Sequence, residues 1–144
     1  MKQSKRLRPV CDFKKRQEQE AAEKLAKASQ ELAQHQQRLV DLNSYRSEYN
    51  RKFVANGSDG MSAQKLREYQ RFMHSLNLAI EQQKSVIEKL KFDHERMKRQ
   101  WLAARNRAKA VGNVQSQYEH REQVEEDKKL QKEQDDRNVR RLTN

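Results

Sequence analysis

A single cysteine, Cys11, excludes any disulfide within the chain and fits a reducing compartment. One proline and three glycines in 144 residues leave no glycine-rich phosphate loop and few breaks between elements. Only 33% of residues are hydrophobic, so a thick core is out of reach. No apolar run approaches the roughly 20 residues that span a bilayer. The basic N-terminus is not followed by a hydrophobic stretch, so it does not read as a cleavable secretory signal. Metal-ligating Cys/His spacing and a nucleophile–base set are also missing, and these absences argue against catalysis, a metal and a cofactor. The expectation is a cytoplasmic, non-enzymatic protein with no small-molecule substrate.

Charge is abundant. Charged residues make up 37% of the chain, and 32 basic against 21 acidic residues give a net charge of +11. Most of these charges are the solvated faces of exposed helices, and a basic surplus points to an acidic partner. Two stretches exceed the background. Lys2, Lys5, Arg6, Arg8, Lys14, Lys15 and Arg16 face only Asp12, and the run from Lys84 to Lys109 is opposed by Glu88, Asp93 and Glu95.

Periodicity sets the fold class. A ladder with alternating steps of three and four runs Leu66, Tyr69, Met73, Leu76, Ile80, Gln83, Ile87, Leu90, His94, Met97, Trp101, Ala104, Ala108, Val111. A matching ladder upstream runs Leu25, Ala28, Leu32, His35, Leu39, Leu42, Arg46, Tyr49, Phe53. Such a repeat keeps one seam of a helix against a partner. The turn cluster Asn56-Gly57-Ser58-Asp59-Gly60 separates the two ladders. The expected fold is all-α, a two-helix antiparallel coiled-coil hairpin with a longer second helix.

The pattern divides the chain into a basic N-terminal segment (1–9), the coiled-coil hairpin (10–111, turn 56–60) and a polar C-terminal helical extension (112–144). The first helix should begin near Arg8-Pro9-Val10, because proline fits a first turn, and continue to about Val54. Ser62 or Asp59 can cap the second helix. Phe53 then faces Gln64 or Leu66, Leu42 faces Leu76, and Leu25 lies near Leu90 to His94. On that register the first helix is exhausted opposite Arg107, and residues after Val111 have no partner within the chain. The ladder also turns polar there, at Gln115, Tyr118, Glu122, Glu125 and Lys129, with Gly112-Asn113 as a weak point.

Several seam residues have two readings. His35 and Gln83 fall opposite each other, as a register-fixing polar layer or as a pH switch. His94 and Arg46 read as seam residues that reach water, and Trp101 as core. Near the turn, Tyr45 and Phe72 occupy g positions that meet on one flank of an antiparallel pair. With Leu42, Tyr49, Leu76 and Ala79 they form an apolar patch, either a widened core or a docking site that a two-helix protein leaves uncovered.

The chain resembles the flagellar export protein FliJ family. The likeness is carried by the basic N-terminus, Leu42-Asn43-Ser44-Tyr45-Arg46-Ser47-Glu48-Tyr49, Leu66-Arg67-Glu68-Tyr69-Gln70-Arg71-Phe72, Ala79-Ile80-Glu81-Gln82-Gln83 and Trp101-Leu102-Ala103-Ala104-Arg105. The segment Glu126-Asp127-Lys128-Lys129-Leu130-Gln131-Lys132-Glu133-Gln134-Asp135-Asp136 resembles the family's closing motif. The resemblance implies a stalk or coupling component of flagellar type III export. Its implied partners are the hexameric export ATPase, the membrane export gate protein and export chaperones, at the inner membrane of the flagellar base. It also implies that Leu42, Tyr45, Tyr49, Phe72, Leu76 and Ala79 contact the gate. The charged and polar residues Arg8, Lys14, Lys15, Arg16, Glu126, Asp127, Gln131 and Asp135 are the expected ATPase contacts. Rival readings are the equivalent subunit of a virulence-type secretion system and a basic coiled coil that binds nucleic acid. Against the last, a zipper-type reader places its basic helix beside a parallel dimer seam, whereas this seam folds on itself.

Overall fold

The computed structural model describes residues 2–57 and 60–143. α1 runs Gln3–Gly57 (55 residues) and α2 runs Ala63–Thr143 (81 residues), with no strand among the described residues. The two helices pack against each other as an antiparallel hairpin whose second helix is the longer. Chain contacts group into two compact units, Glu23–Arg99 and Met1–Ala22 with Gln100–Asn144.

In Glu23–Arg99, contacts that climb α1 descend α2. Ser29 meets His94, His35 meets Gln83, Arg46 meets Asn77 and Asn50 meets Tyr69. The centre of this seam is Ile80, fully buried, with Leu76 and Ile87 beside it. Leu32 and the other α1 ladder residues stay half-buried. A knob on one helix is covered by a single partner helix here, so most of the seam keeps an open side. Leu66, expected on the seam, is 42% exposed.

α1 continues through Asn56 to Gly57, beyond the expected end near Val54. Gly60 has φ 84°, a left-handed backbone that glycine adopts without strain, and its N–H donates to the Gly57 carbonyl at 3.4 Å. Ser62 caps α2: its Oγ accepts the Lys65 N–H at 3.2 Å, while its carbonyl accepts from Leu66 at 3.1 Å. The alternative cap Asp59, and Ser58 of the turn cluster, lie outside the described residues.

In the other unit, α1 begins at Gln3 rather than at Arg8-Pro9-Val10, and Pro9 lies inside the helix. Its missing N–H costs one helical hydrogen bond, yet the first turns are held from outside. Ser4, 8% exposed, bonds to Glu122 and Gln115 of α2. The earlier start of α1 also overturns the expectation that residues after Val111 lack a partner: Gln115, Tyr118 and Glu122 are all half-buried. α2 remains helical through Gly112, and every described residue after Glu122 is exposed.

Candidate functional site

In Glu23–Arg99 the flank beside the turn carries the aromatic cluster. Tyr45 and Phe72 meet edge-on, with centroids 5.8 Å apart and planes at 73°. Tyr49 lies 4.3 Å from Phe72 and 6.3 Å from Tyr45. Tyr69 stacks on both Tyr49 (5.5 Å) and Phe53 (3.6 Å). Tyr69 Oη donates to Asn50 Oδ1 at 2.7 Å, so the hydroxyl of the central ring is paired. Edge-on and offset rings gain about 0.5–1.5 kcal/mol beyond their buried area.

The cluster is graded from core to surface. Leu76 is 7% exposed and belongs to the seam, while Leu42, Tyr49, Phe72 and Ala79 are half-buried and Tyr45 is 50% exposed. Heptad geometry placed Tyr45 against Phe72. It treated Phe53 and Tyr69 only as ladder residues, and the signal that joins them is aromatic type at facing positions on both helices. A shallow hollow of about 370 Å³ lined by Tyr49, Phe53, Met61 and Tyr69 lies beside the stack.

Polar layers interrupt the same seam. Gln83 Nε2 donates to His35 Nδ1 at 3.0 Å and to the His35 carbonyl at 2.9 Å. An amide nitrogen only donates, so Nδ1 accepts. Ser29 Oγ lies 2.8 Å from His94 Nε2. Arg46 bridges Asn77 (3.0 Å) and Asn43 (3.1 Å), its guanidinium lying along the flank of the seam. These pairings answer one another only in a single register, which is how polar seam residues specify alignment.

The charged and polar residues expected to meet an ATPase lie in the other unit. Arg8, Lys15 and Arg16 are exposed, whereas Lys14 is half-buried on the seam. Glu126, Asp127, Gln131 and Asp135 are exposed on α2, with Asp127 accepting a bond from Gln123 at 3.2 Å. Sequence reasoning missed what lies between them. Glu122 Oε1 accepts the Ser4 N–H at 3.1 Å and Oε2 accepts the Ser4 hydroxyl at 2.6 Å. A carboxylate therefore caps the first turn of α1, where amides lack helical partners. The hydroxyl bond, then the amide bond, and the charge of Lys2 hold Glu122 below its ordinary pKa against the opposing effect of desolvation. Gln115 Nε2 donates to the Ser4 carbonyl at 2.8 Å, while its Oε1 is buried without a hydrogen-bond partner among the described residues.

Upstream of Leu25 the three-four steps also persist, through Ser4, Leu7, Cys11, Lys14, Glu18 and Ala21, all buried or half-buried. Cys11 donates weakly to the Val111 carbonyl at 3.8 Å. Trp101, half-buried on α2, has the Arg105 guanidinium 5.4 Å from its ring centroid. No group of His, Cys, Asp and Glu among the described residues could hold a metal ion. No described helix is long and apolar enough to cross a membrane.

Among family models, one described as Flagellar FliJ protein matches residues 3–144. No curated protein and no solved structure matches the chain.

Proposed function

The chain belongs to the flagellar FliJ family, a component of the flagellar export apparatus, and on that premise we propose that it couples the export ATPase to the membrane export gate. In this reading it acts without catalysis, as a stalk component, and also handles export chaperones. Its place is the cytoplasmic side of the inner membrane at the flagellar base.

The observation that carries the gate contact is the aromatic flank. Tyr45 and Phe72 touch edge-on, and Tyr45 keeps half its surface in water. Aromatic side chains that are ordered yet uncovered lose little entropy on docking, which suits them to interface anchors. Tyr45, Tyr49, Phe72, Leu42 and Ala79 offer this surface to the gate protein, and Leu76 supports it from beneath.

Arg8, Lys14, Lys15 and Arg16, with Glu126, Asp127, Gln131 and Asp135, would meet the ATPase hexamer. The exposed last part of α2, with both charge signs and no counterpart in α1, supports this assignment. A truncation after Gln123 tests it, because it preserves the Ser4–Glu122 bonds while removing that segment. Pull-downs with purified ATPase and gate protein should show loss of ATPase binding and intact gate binding. Loss of gate binding alone would reverse the assignment.

A further inference from the structure

The first turns of α1 carry a second exposed surface, on the side away from the seam. With Ser4, Leu7, Cys11, Lys14 and Glu18 turned to α2, helical spacing of 100° per residue puts Lys5, Arg6, Pro9, Phe13 and Arg16 on the opposite side, with Val10 at its margin. All six are exposed, Phe13 at 51% and Val10 at 42%. The ion pairs of the described residues all lie between Glu81 and Arg99, so none engages a cation of this face. Lys2 is different, because its charge acts on Glu122. Asp12 lies on this face, as far from its centre as Arg6, and Glu20 follows one turn after Arg16, so the face keeps a net positive charge through Lys5, Arg6 and Arg16.

Two features call for two kinds of complement. Unpaired cations seek anions, and an aromatic ring held in water beside Pro9 and Val10 seeks an apolar phase. The face is also convex, being the outer side of one helix, with no groove to receive a partner's side chain. A broad surface with anionic headgroups above an acyl layer meets all three conditions. We propose that this face of α1 binds an anionic lipid surface, Lys5, Arg6 and Arg16 contacting headgroups while Phe13 and Val10 enter the headgroup–acyl boundary. The contact is peripheral and reversible, because few apolar residues enter. It shares Arg16 with the proposed ATPase contacts, whereas Lys5, Arg6, Val10 and Phe13 belong to this face alone.

The test uses the full chain and vesicles of phosphatidylcholine alone or mixed with phosphatidylglycerol. Sedimentation should bring the protein down with the mixed vesicles and leave it in solution with phosphatidylcholine alone. Each Lys or Arg near an anionic leaflet contributes about a five- to sixfold gain in partitioning, so Lys5→Gln with Arg6→Gln should lower binding about thirtyfold. A Phe13→Trp probe in a Trp101→Phe background should shift its emission to the blue on mixed vesicles only. Circular dichroism of each variant keeps a folding defect apart from a binding defect. Absent co-sedimentation, or an indole emission of the Phe13→Trp probe that vesicles leave unchanged, overturns the proposal. Equal competition by polyglutamate, with no emission shift, would assign the face to an acidic protein instead.

Discussion

Ser4 and Glu122, 118 positions apart in the chain, close one helix end between them: the carboxylate takes both the Ser4 amide and the Ser4 hydroxyl. A side chain of α2 thus supplies the N-cap that α1 lacks in its own first turn, which holds no acidic residue.

That capping bond should respond to pH in a defined direction. Only the ionised carboxylate accepts both bonds, so folding holds Glu122 below its ordinary pKa. A group depressed in this way contributes stability above its unfolded pKa and loses it as pH falls through the folded value. The Ser4 amide resonance should titrate with a midpoint below the usual glutamate range, and exchange in the first turns of α1 should quicken as it does. Glu122→Gln should show the quicker exchange at neutral pH. A midpoint at or above the usual range would contradict the capping role.

Burial grades the cost of seam substitutions. Ile80 is fully buried, so Ile80→Ala should cost about 2–5 kcal/mol in denaturant unfolding. Leu32 occupies an equivalent ladder step yet stays half-buried, so Leu32→Ala should cost about half as much. Equal losses at both sites would mean that α1 is covered by a second copy in solution.

The period of the apolar residues made the hairpin legible, since any seam residue at three-four spacing must turn to the same side of a helix. It failed where seam positions are polar. Ser4, Lys14 and Glu18 keep the spacing without apolar character, so local preference alone points to a start near Arg8-Pro9-Val10. Pro9 sits inside the helix because Glu122 and Gln115 secure the turns before it, a long-range contact that local preference does not register. The Tyr45–Phe72 contact was legible because both residues are g positions. The ladder put Leu76 on the seam, where it is buried, but also Leu66, which is 42% exposed, because spacing gives direction and leaves depth undetermined.

The His35–Gln83 layer separates stability from alignment. Gln83→Ala removes both bonds to His35 and should cost about 1 kcal/mol or more. Replacing both residues with leucine should instead raise the midpoint of thermal unfolding, since two satisfied polar groups give way to apolar packing. The same double variant loses a layer that other registers cannot satisfy. Light scattering should then detect a larger share of oligomers than the unaltered chain shows. A double variant with the same oligomeric state as the unaltered chain would assign alignment to the Ser29–His94 and Arg46–Asn77 pairs.

Phe72 offers the sharpest separation of folding from docking. Its ring contacts Tyr45 and Tyr49 on the flank, whereas Leu76, Ile80 and Ile87 form the buried seam. Phe72→Ala should therefore keep nearly the full helical signal in circular dichroism, with a modest fall in the unfolding midpoint from the lost ring contacts. On the proposed gate contact, binding to the gate protein should weaken by about 2 kcal/mol or more, the scale of an aromatic anchor. Phe72→Leu keeps much of the volume but loses the edge-on contact, so it should recover stability more fully than binding. Swimming in soft agar should follow the binding order of the three proteins. If Phe72→Ala unfolds but binds normally when held folded by cold, Phe72 belongs with Leu76 in the seam. The gate contact would then have to rest on Tyr45, the most exposed ring of the cluster.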